Sequence, residues 1–317
     1  MVGCKPVSFH IFEKTNSGDV ISWTYPTVTD ETKILIHQTC FSKGLETVDL
    51  FYYKREKKYW HYIKQFGKNG RRCAVIVLSE CYKPDLYGKI CDLFVGKCTG
   101  VAEVDFVVLV KTFLKIYVSD GISSGGEFVK LEDFPEQTNL KDIIKNLGIE
   151  FILLYNALLL KKQILVYHPN VEELQQSLNS ITRLIPTQQP EDILEPYVQN
   201  ISDLKRNVNN LLGTTNSSLM NQQNSFDLLV NLQTPSVEVT LKSKESFQLT
   251  SLHKDIANSI TQLVEKDATE LEIINEISNK TTEVLNYLKT FQSQKDVEGK
   301  IKNKNLQKFL TNLSTIV

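Results

Sequence analysis

The chain has 317 residues, with 36 Lys and Arg against 37 Asp and Glu and a formal net charge of −1. Hydrophobic residues make up 41% and charged residues 23%, as in globular proteins that bury a sizeable core. The even charge balance excludes a polybasic nucleic-acid-binding protein and a strongly acidic disordered chain, because both need a large excess of one sign. The length favours about two domains.

The charge is unevenly distributed along the chain. Residues 1–120 contain 17 Lys and Arg against 13 Asp and Glu, a balance of +4. Residues 121–317 contain 19 against 24, a balance of −5, and the two parts sum to −1. This difference indicates two units with different surfaces.

Targeting and cysteine patterns concern the compartment. Residues 1–6 lack the apolar segment of a secretory signal peptide. The longest apolar run, residues 149–160, has 12 residues, whereas a bilayer-spanning helix needs about 20, so we expect a buried core helix. All six cysteines precede residue 100 and none forms a Cys-x-x-Cys pair, so we expect reduced, packed thiols and no zinc site. These features predict a protein of the cytosol or of the cytosolic face of a membrane.

The first 120 residues predict a small antiparallel α/β layer. Its first hairpin turns at Asn16-Ser17-Gly18-Asp19, where Asn and Gly accept positive φ. The continuous apolar run 73–78 is typical of a central strand. In chain order we predict strands at 7–12 and 20–25, a helix capped by Asp30, strands at 48–53, 59–63 and 73–78, and helices through 86–94 and 107–116.

The rest of the chain begins with a stretch that is rich in Gly and Ser, residues 119–138, which we interpret as a linker. Residues 207–225 are rich in Asn, Ser and Gln and predict a long loop. Beyond the linker we predict helices at 140–147, 153–160 and 171–184, strands at 164–167, 226–230 and 237–241, and a helical tail with apolar stripes through 252–263 and 271–288.

One catalytic pattern lies in the linker. Gly121-Ile122-Ser123-Ser124-Gly125 matches the nucleophile elbow, in which a tight strand-to-helix turn exposes a serine oxygen. We favour a flexible linker, because a predicted helix precedes the pattern and none follows it before Pro135. A hydrolase that uses Ser123 stays an alternative. The sequence contains no other recognisable catalytic or dinucleotide-binding pattern, so we expect no cofactor and no bond-making chemistry.

A basic hairpin is the most strongly charged feature of the first unit. Its aromatic residues alternate with a basic set, Lys54, Arg55, Lys57 and Lys58. The simplest interpretation is a structural hairpin with one aromatic face on the core and a solvated basic turn. A contact site for acidic partners or lipid headgroups is the alternative. Binding of single-stranded nucleic acid is the least favoured of the three.

Two further candidates flank the predicted strand 164–167. Lys161 and Lys162 follow an apolar helix, where cations stabilise the negative end of the helix dipole. His168 follows the strand, where an imidazole can act as a ligand or in acid–base chemistry. A capping role for the lysines and a hydrogen-bonded strand-end role for the histidine are the structural alternatives.

Several segments resemble the DENN domain family. The segments Leu140–Ile144 and Leu158–Pro169 look like the central segment of the DENN domain. Phe226–Leu232 followed by Val237–Val239 is similar to a later strand pair of that domain. Leu252–Asp255 opens the helical tail in the same way. The similarity covers nearly the whole chain and is strongest to a minimal branch that consists almost only of the DENN module.

The resemblance implies a mixed α/β fold. It predicts a longin-like N-terminal lobe, with an antiparallel sheet and helices, and an α/β DENN lobe with a helical C-terminal tail. The corresponding boundaries are 1–120 for the longin-like lobe, 121–138 for the linker, 139–250 for the central lobe and 251–317 for the helical region.

The resemblance also implies a function. Family members are guanine-nucleotide exchange factors for Rab GTPases in endosomal or vesicle traffic, and the Rab lies across a groove between the two lobes. We therefore expect a cytoplasmic protein that is peripheral on such membranes. The alternative is a non-catalytic scaffold that binds a Rab or an endosomal sorting assembly. By the resemblance, the residues we place near the groove are Glu13, Lys14, Lys161, Lys162, Tyr167 and His168.

Overall fold

The chain folds into two compact units, Met1–Gln137 and Thr138–Val317. A computed structural model describes residues 4–15, 18–41, 48–99, 103–124, 127–185, 187–206, 209–291 and 301–316. The fold is mixed α/β, with an antiparallel sheet and helices in the first unit and a helical C-terminal region in the second. Asn16 and Ser17 of the predicted first turn, and Gly125 of the elbow pattern, lie outside the described residues.

In the described residues of the first unit, the two predicted hairpins, the further strand and the three predicted helices appear in the predicted order, and a third hairpin follows them. The strands are β1 (Ser8–Thr15), β2 (Gly18–Tyr25), β3 (Phe51–Glu56), β4 (Tyr59–Lys68), β5 (Arg71–Ser79), β6 (Gly121–Ser124) and β7 (Glu127–Lys130). The helices are α1 (Asp30–Thr39), α2 (Pro84–Thr99) and α3 (Phe106–Ser119). Thr29, not Asp30, caps α1, because the Thr29 hydroxyl accepts the Thr32 N–H.

The antiparallel sheet of the first unit has the order β2-β1-β5-β4-β3, so β5 is central as predicted. Residues 74–78 of β5 are fully buried. Helix α1 covers one face, where the Tyr52 hydroxyl donates a hydrogen bond to the Thr39 carbonyl at 2.8 Å. Helices α2 and α3 cover the other, where the Phe9 ring lies 4.3 Å from that of Phe94.

The stretch that we interpreted as a linker contains paired structure. Strands β6 and β7 form a two-stranded antiparallel hairpin in which Ser123 lies opposite Phe128. Gly121 makes this pairing compact, because a Cβ there would lie 2.3 Å from the Phe128 ring. Ser123 therefore occupies an antiparallel strand and not the strand-to-helix turn that a nucleophile elbow requires.

The second unit is built around a mostly parallel sheet with helices. Its strands are β8 (Ile164–Tyr167), β9 (Leu194–Glu195), β10 (Leu211–Thr214), β11 (Leu228–Asn231) and β12 (Ser236–Val239). Its helices are α4 (Leu140–Leu147), α5 (Phe151–Leu159), α6 (Val171–Ile181), α7 (Pro190–Ile193), α8 (Ile201–Arg206), α9 (Ser251–Glu265), α10 (Glu270–Lys289) and α11 (Lys304–Ser314). Short 3₁₀ turns occupy 148–150, 182–184, 217–221 and 241–247.

The sheet of the second unit has the order β12-β11-β8-β10-β9, with β8 at its centre. Strand β8 pairs in parallel with β10 and β11, and only the pair of β11 and β12 is antiparallel. The predicted loop at 207–225 was therefore wrong, because it contains β10. Four apolar and small residues within an Asn- and Ser-rich stretch carry too little local periodicity to signal a strand, and its stability comes from two parallel neighbours.

The predicted buried helix is confirmed as α5, in which all residues except Leu153 are buried. Helices α9 and α10 confirm the predicted helical tail, and Ile256, Ile260, Ile277, Val284 and Leu288 of the predicted stripes are buried. Leu271 was wrongly included, since its side chain is 67% exposed and Ile273 is buried instead. Within the described part of the chain, we find no helix that combines the length and the apolar character needed to cross a membrane.

Two glycines give opposite predictions. Gly213 lies in β10, where a Cβ would meet Leu178 at 2.4 Å and the Pro196 carbonyl oxygen at 2.7 Å. We expect Gly213→Ala to lower the free energy of unfolding by about 1–3 kcal/mol through overpacking. The matched control is Gly96→Ala in α2, where a Cβ meets nothing within 4 Å. It should raise the free energy of unfolding by about 0.5–1 kcal/mol, measured by urea denaturation. Equal effects would contradict the close approach at Gly213.

His10 and His61, both buried in the first unit, predict that the protein loses stability in acid, and His61 illustrates the effect. Burial, and after it the nearby Lys54, lowers the pKa of His61 from 6.5 to about 3. Between these values the unfolded chain binds a proton and the folded chain does not, so the free energy of unfolding falls as the pH falls. The slope that one such group contributes is at most about 1.4 kcal/mol per pH unit.

His61→Asn should therefore flatten this acid slope. Asn can retain the hydrogen bond that the His61 Nδ1 makes with the Thr39 hydroxyl at 2.9 Å, but it does not titrate. Urea unfolding at a series of pH values measures the slope. The matched control is His37→Asn, since the His37 ring is exposed on α1. An unchanged slope in His61→Asn would show that His61 does not carry the effect.

Candidate partner-binding surfaces

Glu13 and Lys14 are adjacent on β1 and therefore point to opposite faces of the sheet. Glu13 forms an ion pair with Arg71. It lines a pocket of about 530 Å³, whose other walls include Phe66, Lys68 and Phe106. One flat partner surface on either face of the sheet can therefore meet Glu13 or Lys14 directly, but not both.

Lys14 belongs to a small cluster of cations around one aromatic ring. The Lys14 ammonium lies 5.5 Å from the Phe41 ring centre, and the Arg72 guanidinium lies 5.2 Å from the same ring. Lys14 and Arg72 are cross-strand neighbours on β1 and β5. The arrangement holds two positive charges beside an apolar ring, which suits a partner that combines a carboxylate with an apolar side chain.

Lys161 and Lys162 end helix α5 through their backbone. The Lys162 N–H donates to the Ala157 carbonyl at 2.8 Å, and the Lys161 N–H donates to the Leu158 carbonyl at 3.1 Å. These two bonds form a Schellman motif, with Lys161 in the left-handed region at φ 46°. The Lys161 side chain is exposed, and that of Lys162 is half-buried. The backbone of the two lysines therefore caps the helix, and the electrostatic capping by their side chains that we considered stays a prediction.

Tyr167 and His168 lie at the opposite end of β8 from the two lysines. Tyr167 is buried and pairs with Thr214 and Asn231. A strand rises about 3.3 Å per residue, so the two ends of the four-residue β8 lie at least ~10 Å apart. Lys161 and Lys162 therefore form one location on the second unit, and His168 forms another.

His168 takes part in the turn that leads into α6. Its Nδ1 lies 3.2 Å from the Asn170 amide nitrogen, and its Nε2 lies 3.5 Å from a Glu173 carboxylate oxygen. Asn170 in turn caps α6 by accepting the N–H groups of Glu172 and Glu173. This is the hydrogen-bonded strand-end role that we considered as the alternative for this histidine. The same ring also lines a recess, so the two interpretations are compatible.

That recess was not predicted from the sequence. It has a volume of about 190 Å³ and lies beside the carboxyl ends of β8 and β11, where its walls include His168, Leu232 and Pro235. Asp142 and Glu173 give it an acidic rim. The carboxyl ends of parallel strands are the usual ligand side of open α/β sheets. Sequence reasoning missed the recess because it requires the parallel pairing of β8 with β11, and that pairing joins residues 64 positions apart.

The basic hairpin carries ion pairs at each of its lysines. Lys54 lies 2.8 Å from Glu56, Lys58 lies 2.9 Å from Glu80, and Lys57 pairs with Glu31. Arg55 lies over the Trp60 ring at 5.7 Å. The predicted patch Lys54, Arg55, Lys57 and Lys58 therefore has nearby carboxylates that offset its charge, and its role in binding acidic partners or lipids stays a prediction.

The cysteines are packed thiols. All six are free, and Cys40, Cys73, Cys91 and Cys98 are buried. Burial raises the pKa of Cys98 to about 11, and burial followed by the nearby Glu13 raises the pKa of Cys73. A raised pKa lowers the thiolate fraction at neutral pH, so these thiols are poor nucleophiles. Within the described ranges, no group of three or more His, Cys, Asp or Glu side chains is placed to hold a metal ion.

The backbone role of Lys161 predicts that glycine is accepted there. A left-handed conformation costs a residue with a Cβ about 1–2 kcal/mol, whereas the extra freedom of unfolded glycine costs about 0.5–1 kcal/mol. We expect Lys161→Gly to leave the free energy of unfolding unchanged or to raise it by up to about 1 kcal/mol. The matched control is Lys145→Gly in α4, which should lower it by about 1 kcal/mol. If urea unfolding shows the larger loss in Lys161→Gly, the side chain stabilises the helix end.

A comparison with protein-family models gives a match in the second unit. The family model described as "Stabilization of polarity axis" matches residues 137–241. This range begins at the end of the first unit and contains all five strands of the second sheet, β8 to β12. The match therefore includes the missed strand β10 and both sides of the recess at His168.

Curated relatives match both units. The DENN domain-containing protein 10 of Danio rerio is 26% identical over 311 residues, covering 92% of this chain and 88% of that protein. The Dictyostelium discoideum protein of the same name is 27% identical over 334 residues, covering 92% and 89%. The Homo sapiens protein of that name is 24% identical over 322 residues, covering 94% and 88%. These matches confirm the predicted resemblance to the DENN domain family over 92 to 94% of the chain.

Proposed function

We propose that this protein regulates a Rab-family small GTPase in endosomal or vesicle traffic, and that it does so as a guanine-nucleotide exchange factor. The observation that carries the proposal is the extent of the similarity, since DENN domain-containing relatives match 92% or more of the chain. The proposal includes a longin-like role for the first unit and a DENN-lobe role for the second. It also includes a peripheral location on the membranes that carry the GTPase.

Nucleotide exchange is a binding reaction and needs no covalent chemistry. An exchange factor binds the switch regions in the conformation that holds nucleotide poorly. The factor therefore weakens nucleotide binding, and bound nucleotide weakens binding of the factor by the same free energy. A thousandfold acceleration requires about 4 kcal/mol of differential stabilisation. A moderate interface with a few well-placed charges and apolar contacts can supply this amount.

The proposed contacts are the sites described above. In the first unit, the exposed Lys14 with the half-buried Phe41 ring and Arg72 offers a cationic and apolar surface, and Glu13 lines a pocket. In the second unit, Lys161 and Lys162 offer positive charge at one end of β8, and the acidic recess around His168 lies at the other. Tyr167 is buried, so its part in the proposal is to position His168.

Release of labelled GDP from a panel of purified Rab proteins tests the proposal. We expect the full chain to accelerate release from at least one member by about 10²-fold or more, which corresponds to at least about 2.7 kcal/mol of differential binding. Lys14→Glu should reduce this acceleration by about tenfold, since reversing one charge at a close interface pair costs on the order of 1.4 kcal/mol. Lys162→Glu should do the same in the second unit.

The matched control is Lys289→Glu, which reverses an exposed charge at the end of α10 and should leave the acceleration unchanged. No acceleration with any Rab would contradict exchange activity. If the chain then binds a GTP-loaded Rab stably, or co-purifies with an endosomal sorting assembly, it acts as the non-catalytic scaffold that we considered as the alternative.

A further inference from the structure

Helix α3 exposes an unusual amount of apolar surface. Val118 is 78% exposed, Val107 61%, Tyr117 46% and Leu114 41%. Monomeric soluble proteins rarely expose contiguous apolar patches of this kind unless the patch contacts a protein or a membrane. The patch is therefore a candidate contact surface, and at the N-terminal end of the helix it adjoins the pocket that Glu13 lines, because Phe106 is a wall of that pocket.

The inner face of α3 already accounts for its role in the core. Leu109, Phe113 and Ile116 are buried, and the Phe113 ring lies 5.4 Å from that of Phe9 on the sheet. A surface helix normally carries polar residues on its other side. In α3 the positions 107, 114 and 118, which share one outward side at helical spacing, are all apolar. Core packing does not explain these outward residues.

Aromatic rings extend the patch beyond the two ends of the helix. At the N-terminal end, Phe106 stacks on Trp23 at 5.2 Å, and Trp23 stacks on Tyr25 at 5.9 Å. Beyond the C-terminal end, the Phe128 side chain of β7 is 54% exposed and lies against Gly121. Trp and Tyr rings are enriched at membrane–water interfaces, because one part of each ring is apolar and the other can form hydrogen bonds.

The charged side chains of α3 are all positive. Lys111 and Lys115 are its only charged residues, and both are exposed. Neither forms an ion pair with any residue that the structure describes, in contrast to the lysines of the basic hairpin. The nearest acidic residues by sequence lie beyond the helix ends, where Asp105 accepts N–H groups as the N-cap and Asp120 lies 4.0 Å from Lys5.

We propose that the outward face of α3 docks on an anionic membrane surface, with Val107, Leu114 and Val118 inserted at the headgroup boundary and Lys111 and Lys115 on the acidic headgroups. Apolar residues flanked by lysines on one helix face are the pattern of interfacial membrane contact. Lysines that pair with no described carboxylate complement the negative charge of acidic lipids, and they would be repelled by the identical face of a second copy. The proposal does not depend on Rab binding.

Co-sedimentation with vesicles tests this surface. The full chain should bind phosphatidylcholine vesicles that contain phosphatidylserine and should bind vesicles of phosphatidylcholine alone much more weakly. The double variant Leu114→Glu, Val118→Glu should weaken binding to the acidic vesicles by at least about tenfold, equivalent to about 1.4 kcal/mol. Lys111→Glu, Lys115→Glu should also weaken it by about tenfold or more, and added salt should reduce wild-type binding.

Matched controls separate α3 from other surfaces. Leu271→Glu, Tyr287→Glu places two new charges on residues of α10 that are 67% and 40% exposed. Lys254→Glu, Lys289→Glu reverses two exposed charges on α9 and α10. Both controls should retain binding. No wild-type binding to acidic vesicles, or an equal loss in either control, would overturn the proposal.

A direct readout shows which occupant covers the face. In a Trp23→Phe background, Leu114→Trp should shift the tryptophan fluorescence to shorter wavelength on acidic vesicles, and brominated lipid should quench it, whereas Leu271→Trp in the same background should show neither change. If light scattering instead shows a dimer that Val118→Glu dissociates, the face contacts a second copy and the membrane proposal is wrong. Unchanged circular dichroism of each variant ensures that loss of binding is not loss of fold.

Discussion

Burial of one central strand on both faces is the constraint on which each unit depends. In the first unit the middle of β5 is fully buried between β1 and β4 and beneath helices on both sides. In the second unit, all four residues of β8 are buried between β10 and β11. A strand enclosed in this way has no side chain to offer a partner. The residues that can contact one therefore lie at strand ends, at helix ends and on outward helix faces.

The candidate sites follow this rule. Glu13 and Lys14 lie near the C-terminal end of β1, beside Arg71 and Arg72 of β5. Lys161 and Lys162 precede β8 and His168 follows it. Because β8 is the central strand, each of its two ends lies midway along the corresponding row of strand ends of the sheet. The position of each candidate is thus set by the burial of its neighbours and not by its own chemistry.

Local sequence patterns predicted much of the fold and little of the site geometry. The alternating strands, the apolar run of β5 and the helix stripes each depend on residues within a few positions, and their elements appear in the predicted order. Strand β10 could not be predicted in this way, because its four residues are stabilised by pairing with Ile164–Tyr167 and by the space that Gly213 leaves for Leu178. The ion pairs of the hairpin lysines could not be predicted from the sequence either, because Glu31 and Glu80 lie 26 and 22 positions from Lys57 and Lys58. The left-handed backbone of Lys161 was equally hidden, since lysine is not a residue that signals it.

The parallel pairing of β8 has a consequence for how the chain emerges from a ribosome. Ile164 pairs with Leu211 and with Leu228, so the partners of β8 are synthesised 47 and 64 residues after it. At about 5–20 residues per second, the strand and the apolar helix before it wait roughly 2–10 s for their first partner. The first unit differs because each strand of its five-stranded sheet has at least one neighbour that is made soon before or after it: β1 pairs with β2, and β3, β4 and β5 pair in turn. Only the pairing of β1 with β5 joins residues 58 to 70 positions apart in that sheet. Nascent second units should therefore be the part of this protein that engages chaperones during translation.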